Sequence, residues 1–517
     1  MSGLGFWRIA SGDPGAAAVV ASDGIVVSRG ELLAWCNGIV HLLRARGARV
    51  GDRVVGVVAN EPLALALALA CQQSGVYYVP VNTALTAGEI SYIIGDAQPV
   101  SVFTSARFSD VVSAAADAAE LPADARFAFA ASEGFISLPR VLDTLPTGAP
   151  EARTPGAFLG YTSGTTGRPK GVARALAQGD PDDVFAEGAQ WQLGMFGIEP
   201  LASGVHLVTS PLSHTAVSGL AVTSLHFGHT IVLMERFDAE HVLQLIQEHR
   251  VTTTHMVPTQ LHRLLRLPAD VRARYDVSSM RNLVHGAGPC PESVKRDMLA
   301  WFGPVIWEYY GATEAAGTVI DSMEWLARPG SVGRPQPGAE IRILDAGRND
   351  VPAGQSGAVF LRMGALAFVY RGDPDKTLAG RHGDFVTVGD IGRIDEDGYL
   401  YLLARMSEVI VSGGVNVYPA EVEAALLEHP EVRDAGVIGR ADAEWGEMVC
   451  AVVEAVPGTP LADAGSEATS LLLPFLQERL ARYKVPRRVE IVDALPRGEN
   501  GKLRKHLLPA LVEKVSS

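Results

Sequence analysis

Cysteine is scarce in this sequence. Its 517 residues include four cysteines, and no two of them form a CxxC pair. Isolated cysteines build neither a disulfide framework nor a cysteine-based zinc site, and they are typical of reducing compartments. We therefore expect a cytoplasmic protein without structural disulfides. The four cysteines are Cys36, Cys71, Cys290 and Cys450.

Long apolar runs and an excess of positive charge are missing as well. The longest apolar stretch, Leu63–Cys71, is too short to cross a bilayer and favours a buried helix, so no transmembrane segment is expected. The first residues, MSGLGFWRIASGDPG, lack the basic and apolar segments of a secretory signal. A net charge of -14 argues against a nucleic-acid or anionic-membrane partner, but it leaves room for a local basic pocket.

The chain is too long for one ordinary core, and its hydrophobic content of 47% is that of a globular protein. The first part alternates helix-like and strand-like segments, beginning with a helix at Glu31–Arg46, a strand at Asp52–Val58, a helix opened by Pro62 and a strand at Val76–Val81. Such alternation predicts a large α/β domain with mainly parallel sheets. Further predicted elements are the strands Val205–Ser210, Thr230–Met234 and Thr252–Val257 and the helices Asp238–Glu248 and Gln260–Leu267.

The pattern changes after about Gly333. Short runs such as GAEIRILD, GAVFLR and GYLYLL predict hairpins or a small β-barrel. From about Ser407 a compact α+β unit follows, with helices predicted at Pro419–Glu428 and Leu472–Arg482 and a surface loop at Pro457–Ser470. We expect a large domain over residues 1–404, a hinge at 405–407 and a small domain over 408–517.

One segment, Ser163–Gly171, combines glycines, hydroxyl groups and a lysine after the strand-like run AFLGY. Glycines let backbone amides face an anion, hydroxyls donate hydrogen bonds, and a lysine adds positive charge. The spacing does not match the Walker pattern. A plain turn also uses Gly and Thr, but it does not need this run of donors, so the segment predicts a phosphate-binding loop at the end of a strand.

With its other motifs, the chain resembles the adenylate-forming superfamily of acyl-CoA synthetases, peptide-synthetase adenylation domains and beetle luciferases. The resemblance covers nearly the whole chain, and the SGGVNVYP form is closer to CoA ligases than to luciferases. The motifs, in order, are YTSGTTGRPKGV (Tyr161–Val172), PLSHT (Pro211–Thr215), HGAGPCP (His285–Pro291), EYYGATE (Glu308–Glu314), TVGDIGRIDEDGYLYL (Thr387–Leu402), SGGVNVYPAEVE (Ser412–Glu423) and PRGENGKLRK (Pro496–Lys505).

The resemblance implies a large N-terminal domain followed by a small, mobile C-terminal domain, with ATP, Mg²⁺ and CoA as cofactors. It implies that the glycine–threonine loop and its lysine hold the β- and γ-phosphates of ATP, and that Glu314 and Thr166, beside Thr313, hold Mg²⁺. Taken alone, Glu314 is equally a carboxylate at a helix start. The loop residues concerned are Thr162, Ser163, Gly164, Thr165, Thr166, Gly167 and Lys170.

For the rest of the nucleotide, the resemblance implies that Gly286, Ala287 and Gly288 flank adenine, while Tyr310, next to Gly311, offers it a ring face. It implies that Asp390 and Arg405 reach the ribose. Without the resemblance, the glycine-rich strip is a tight turn before Pro289, and Asp390 is a turn residue.

Substrate and acceptor sites follow from the same resemblance. It implies that Lys502 enters from the small domain to bridge the substrate carboxylate and the α-phosphate, and that Gly413 and Gly414 line the pantetheine tunnel once that domain has rotated. A lysine in a basic tail is otherwise a solvated residue, and a Gly-Gly pair a simple bulge. The expected acid pocket comprises His214, Val217, Gly286, Ala312 and Ala316.

One residue departs from the pattern of the superfamily. Ser407 follows Ala404-Arg405-Met406, where many relatives carry a charged hinge residue. The departure puts in doubt the electrostatic preference of the hinge between two closed conformations.

The first functional hypothesis is an AMP-forming acyl-CoA ligase for a fatty or aromatic carboxylic acid. An adenylating enzyme with an unusual partner, either a carrier-protein thiol as acceptor or nitrite activated to diazotise an aromatic amine, is an alternative. A catalytically silent nucleotide-binding protein is a third. The identity of the acid and the oligomeric state, a homodimer included, stay open.

Overall fold

The computed structural model describes residues 3–162, 170–200, 203–311, 316–363, 369–370, 380–442, 444–498 and 501–516. Within these residues the protein is a mixed α/β structure, with a large N-terminal part and a smaller C-terminal domain. No helix among them is both long and apolar enough to cross a membrane.

The largest sheet has nine strands, and six neighbouring ones at its centre run parallel. Its edges are antiparallel. Helices cover both faces of such parallel strands. The strands are therefore buried, and their sequences are short apolar runs. In spatial order the strands are Arg334–Pro335, Ala316–Ile320, Ile306–Gly311, Asn282–His285, Thr253–Met256, Val205–Val208, Thr230–Leu233, Ala17–Val20 and Val26–Ser28.

A second sheet has six strands, all of them parallel. Together with the first sheet it confirms the predicted α/β domain of mainly parallel sheets. In spatial order its strands are Ile136–Ser137, Arg126–Ala128, Ser101–Thr104, Arg53–Val57, Tyr77–Pro80 and Ala157–Phe158.

Helices cover these sheets, and capping residues and proline mark where they begin. Ser28 and Glu31 form a capping box at the start of Arg29–Ala45, and Pro62 occupies the first turn of the helix that ends before Gly75. Among the described residues, the helices of the large domain are Phe6–Gly12, Arg29–Ala45, Pro62–Ser74, Ala87–Ala97, Ser109–Ala118, Leu138–Leu142, Pro181–Gly194, Thr215–His226, Ala239–His249, Pro258–Leu265, Ala269–Arg272, Glu292–Phe302 and Ser322–Ala327.

Beyond Gly333 the strands become antiparallel, as the sequence predicts. Gly357–Met363 pairs with strands on both of its edges, and Asp390–Ile394 pairs with Leu400–Arg405. The remaining strands of this sheet are Ala339–Leu344, Arg381–His382 and Phe385–Val386. A separate three-stranded sheet packs against it through Val172 and contains Gly160–Thr162, Lys170–Ala173 and Val369–Tyr370.

The C-terminal domain has its own sheet and its own hydrophobic core. One prediction needs correction here, because the helix expected at Leu472–Arg482 runs from Ala468 to Gln477 and takes in the end of the predicted loop. Ala468, Leu472 and Leu476 are four residues apart and buried, so core packing sets the helix start. The elements are strands Ile410–Ser412, Val415–Val417, Val432–Asp442, Gly446–Ala455 and Arg488–Val492 and helices Pro419–Leu427, Ala468–Gln477 and Leu508–Ser516.

Candidate active site

The predicted phosphate loop joins two paired strands. Gly160–Thr162 and Lys170–Ala173 run antiparallel, with Lys170 opposite Thr162. The run AFLGY is divided, because Ala157–Phe158 belongs to the parallel sheet and Gly160 begins the small one. Lys170 and Thr162 are thus neighbours on one hairpin.

Several predicted site residues lie outside the described part of the chain. The strands that contain Thr162, Lys170 and Ala316 are described, but not the side chains of these three residues. The residues outside the described ranges are Ser163, Gly164, Thr165, Thr166, Gly167, Ala312, Thr313 and Glu314.

Asp390 lies between two predicted nucleotide-binding residues. The Tyr310 hydroxyl donates a hydrogen bond to Asp390 Oδ2 over 2.6 Å, and Arg405 Nε lies 3.3 Å from Asp390 Oδ1. Asp390 and Arg405 face each other on paired strands, and the carboxylate is 7% exposed. Burial first, and then the charge of Asp390, raises the pKa of Tyr310, which keeps its hydroxyl a donor. One hydrogen bond and one ion pair thus join the three residues into one group.

Lys502 belongs to the C-terminal domain, yet the charges of Arg405, Glu408 and Asp390 act on it. Its side chain keeps access to solvent. The surrounding protein lowers the pKa of Lys502, Arg405 lowers it further, and the two carboxylates oppose the shift. The ammonium group is therefore within electrostatic range of the group at Asp390.

The glycine strip divides into a packed end and an open end. Gly286 is buried, and a Cβ added there would lie 2.7 Å from the Tyr309 ring, so its missing side chain makes room for Tyr309. Ala287 and Gly288 are exposed, and a Cβ at Gly288 would meet nothing within 4 Å. Ala287 has φ 65°, an uncommon value for alanine that is found at functional sites. The surface open to a flat ring is thus Ala287–Gly288.

His214 and Val217 lie at the start of the helix Thr215–His226. His214 immediately precedes the helix and is half-buried, whereas Val217 is 5% exposed within the main core. His255 is a near neighbour of His214: burial first, and then the charge of His214, lowers the pKa of His255 to about 4. His255 is therefore neutral at pH 7.

The sequence patterns miss a polar pair beside these pocket residues. His255 Nε2 lies 3.1 Å from the Tyr309 hydroxyl, and Tyr309 packs against Gly286. The pair thus has His214 as a neighbour on one side and Gly286 on the other. The superfamily pattern assigns both of these residues to the acid pocket. Tyr309 is half-buried. The alternation of the TTTHM strand gives the only sequence signal, since it places His255 on the same sheet face as Thr253.

A buried ion pair, also missed by the sequence, lies under the same strand ends. Lys295 Nζ is 2.6 Å from Glu308 Oε2, and His285 Nε2 is 3.8 Å from the same oxygen. Lys295 and Glu308 are 0% and 5% exposed. His285 and Glu308 face each other on parallel strands that lead to Gly286 and Tyr309. The pair fixes the helix Glu292–Phe302 to the base of the site.

Gly413 and Gly414 form the turn of a hairpin rather than a bulge. Their φ values of 58° and 79° favour glycine, and they connect Ile410–Ser412 to Val415–Val417. The Gly413 N–H donates to the Trp445 carbonyl over 2.8 Å, and a Cβ at Gly413 would lie 2.6 Å from the Trp445 ring. The contacts of this turn are thus within the small domain.

Comparison with known proteins gives two family matches. Residues 6–371 match the AMP-binding enzyme family, and residues 421–502 match the AMP-binding enzyme C-terminal domain. Together the two matches span most of the chain.

Similar proteins extend over the full length. A fatty acid–acyl-carrier-protein ligase, ScoC, from Streptomyces coeruleorubidus is 32% identical over 95% of this chain and 92% of its own length. A feruloyl-CoA synthase from an Amycolatopsis species is 33% identical over 97% and 98%. Among solved structures, the amide bond synthetase McbA from Marinactinospora thermotolerans superimposes with a TM-score of 0.82 at 27% identity, over 98% of this chain and 99% of its own.

The order of the motifs and the parallel sheets of the large domain agree with these matches. The chain belongs to the AMP-binding enzyme family of adenylate-forming ligases.

Proposed function

We propose that this protein activates a carboxylic acid, fatty or aromatic, with ATP to an acyl-adenylate, and then transfers the acyl group to the thiol of CoA. The observation that carries the proposal is the position of Lys502. The chain of the small domain is docked on the large domain just before this lysine, because the Gly501 carbonyl accepts a hydrogen bond from Thr259, and the charges of Asp390 and Arg405 act on its ammonium group. A cation brought to a nucleotide site from a separate domain suits a reaction that develops negative charge at a phosphate.

The described residues fit the nucleoside part of ATP. The two carboxylate oxygens of Asp390 are acceptors suited to ribose hydroxyls, and Tyr310 and Arg405 hold that carboxylate in place. The open backbone at Ala287–Gly288 leaves room for a flat base. Thr162 and Lys170 belong to a hairpin whose connection is the predicted phosphate loop.

The chemistry proceeds in two steps. A carboxylate oxygen attacks the α-phosphorus of ATP, and the bond to pyrophosphate breaks to give acyl-AMP. The thiol sulfur then attacks the acyl carbonyl carbon, its proton is lost to solvent, and AMP leaves with the bonding electron pair. Lys502 would hold its charge against the oxygens that become more negative in the first step, and the fixed group at Asp390 would keep the nucleotide aligned.

Mg²⁺ would be held by Glu314 and Thr166, whose oxygens are the donors that this ion prefers. When bound, the ion neutralises charge on the phosphate oxygens. Lys170 and the threonines of the loop would hold the β- and γ-phosphates.

We also propose a hinge at residues 405–407, between a large domain ending at 404 and a mobile small domain starting at 408. Arg405 ends a strand of the large domain. Lys505 of the small domain lies 2.9 Å from Glu408 and 2.8 Å from Glu423, so the chain is tied to the small domain directly after Ser407. The Met406 N–H donates to the Gly389 carbonyl of the large domain, so Ser407 is the residue between the two anchored parts of the chain.

A second candidate keeps the first step and changes the acceptor. The similar proteins include a ligase named for an acyl-carrier protein and a synthetase named for an amide bond. A carrier-protein thiol or an amine could therefore replace CoA, and nitrite could replace the acid, because all these reactions use the same nucleotide site.

The experiment is a panel of fatty and aromatic acids, each incubated with ATP and Mg²⁺, with CoA present or absent. We expect AMP and pyrophosphate from at least one acid and an acyl-CoA product when CoA is present. Adenylate without thioester would favour another acceptor. AMP release only with nitrite and an aryl amine would favour diazotisation. ATP binding without AMP from any mixture would contradict both candidates.

A further inference from the structure

The turn that carries Lys502 rests on one helix of the large domain. This helix, Pro258–Leu265, begins where the strand Thr253–Met256 ends. Its first turn is fixed by Gln260, whose buried side chain accepts from the Val257 N–H and donates to the Thr209 carbonyl and the Ser210 hydroxyl. The surface offered to the small domain is therefore held rigidly.

Two side chains, one from each domain, donate to the same carbonyl oxygen. The Thr259 hydroxyl of the large domain donates to the Gly501 carbonyl over 3.1 Å, and Arg497 Nη1 of the small domain donates to it over 2.8 Å. Gly501 directly precedes Lys502. Its carbonyl is thus a point at which the large domain sets the position of the lysine backbone.

The contact is close enough to require glycine. Gly501 has φ 71°, and a Cβ added there would lie 2.9 Å from Val257 Cγ2 and 3.3 Å from Thr259 Cβ. A side chain would both strain the backbone and push the turn away from the helix.

A second contact lies on the same helix. His262 Nε2 lies 3.2 Å from the Arg433 carbonyl of the small domain. The next residue, Asp434, holds Arg497 through two contacts of 2.5 and 2.6 Å. The network therefore runs from the helix through Asp434 and Arg497 back to Gly501.

We propose that Thr259, assisted by His262, is a positioning residue. It holds the turn that carries Lys502 in place during adenylate formation and releases this turn for acyl transfer. The inference rests on the proposed function, in which the small domain rotates between the two steps. A neutral hydrogen bond contributes only modestly to stability, which suits a contact that must break in every turnover. Thr259 acts through Lys502, because its hydroxyl contacts the carbonyl of the residue that precedes the lysine.

The test separates the two half-reactions in Thr259→Val, which keeps the shape of the side chain and removes the hydroxyl. We expect acyl-adenylate formation in a single turnover to slow about threefold to tenfold, the value of one such hydrogen bond. Transfer from supplied acyl-adenylate to CoA should keep the parent rate or exceed it. Thr259→Ser, which keeps the hydroxyl, should restore adenylate formation.

Equal loss in both half-reactions, or no loss in either, would overturn the proposal, since a purely structural role slows both steps together. The parent protein controls for the proposed function, because a parent that forms no adenylate from any acid refutes that function by itself.

Discussion

At the scale of single residues, the proposed nucleotide site depends on how Asp390 is held. Its two oxygens have different partners, the Tyr310 hydroxyl at 2.6 Å and Arg405 at 3.3 Å. Hydrogen bonds to a charged group are stronger than neutral ones, so each partner contributes to the alignment of the carboxylate. The orientation of Asp390 is therefore set before a ribose arrives.

Tyr310→Phe tests this arrangement. The change removes the donor to Asp390 and keeps the ring, so we expect the KM for ATP to rise about tenfold while kcat changes little. Tyr309→Phe is the matched control, because its hydroxyl contacts His255 instead. Steady-state kinetics with varied ATP give both constants. An unchanged KM in Tyr310→Phe, or an equal rise in the control, would contradict the role of the hydroxyl.

Buried histidines such as His226 make the folding stability of the protein depend on pH. His226 Nδ1 accepts from the Phe6 N–H over 3.0 Å, and its Nε2 lies 3.0 Å from Gln72 Oε1, so the ring is neutral. Burial first, and then the charge of Arg153, lowers the pKa of His226 to about 3. The pKa of His226 is lower in the folded protein than in the unfolded chain. The stability that the neutral ring contributes is therefore fully present above about pH 6.5 and is lost as the pH falls towards 3.

We therefore expect unfolding at pH 5.5 to take up about 0.9 proton more in the parent than in His226→Gln, since an unfolded histidine is mostly protonated there. Calorimetry in buffers of different ionisation heat measures the uptake. The amide of glutamine keeps a donor and an acceptor but does not titrate. Equal uptake by the two proteins would show that His226 is already protonated in the fold.

At the scale of elements, a buried ion pair joins the helix Glu292–Phe302 to the strand Ile306–Gly311. Lys295 and Glu308 are 2.6 Å apart and almost inaccessible, and the Trp325 ring lies 4.8 Å from Lys295 Nζ. Removal of one partner leaves an uncompensated charge inside the protein. The two elements are thus held together by a contact that fails if either side chain is changed alone.

Glu308→Gln should destabilise the large domain by about 3–5 kcal/mol, while Lys295→Met/Glu308→Leu should cost far less, because it removes both charges and retains volume. Denaturant unfolding, followed at the transition of the large domain, compares the two variants. If the single variant is as stable as the parent, or the double variant is the weaker of the two, the ion pair does not carry this role.

Sequence reasoning works well for elements whose pattern is local. The strands Val205–Val208 and Thr230–Leu233 are short apolar runs, and Asp238 caps the helix Ala239–His249, so their positions are readable from neighbouring residues. The Lys295–Glu308 pair has no such signal, since only the packing of a helix on a strand makes the two side chains meet. Likewise, motifs single out Asp390 and Tyr310 but not the hydrogen bond between them.

At the scale of the whole molecule, the proposed active site is shared by two domains. The large domain supplies Asp390, Arg405 and the open backbone at Ala287–Gly288, and the small domain supplies Lys502. The motif predicts the lysine but not the helix that receives its turn, because Thr259 and Gly501 are far apart along the chain. Closure of one domain on the other is therefore part of the catalytic chemistry that we propose.

The most direct measurement compares acyl-adenylate formation by Lys502→Ala and Arg504→Ala in a single turnover, with the best acid of the panel and saturating ATP. Arg504 is an exposed cation two residues away, so its loss changes the net charge equally. We expect Lys502→Ala to lose about 100-fold or more, as when one electrostatic donor is removed from an active site, and Arg504→Ala to stay within about twofold of the parent. A Lys502→Ala protein that forms adenylate as fast as the parent would contradict the central role of this lysine.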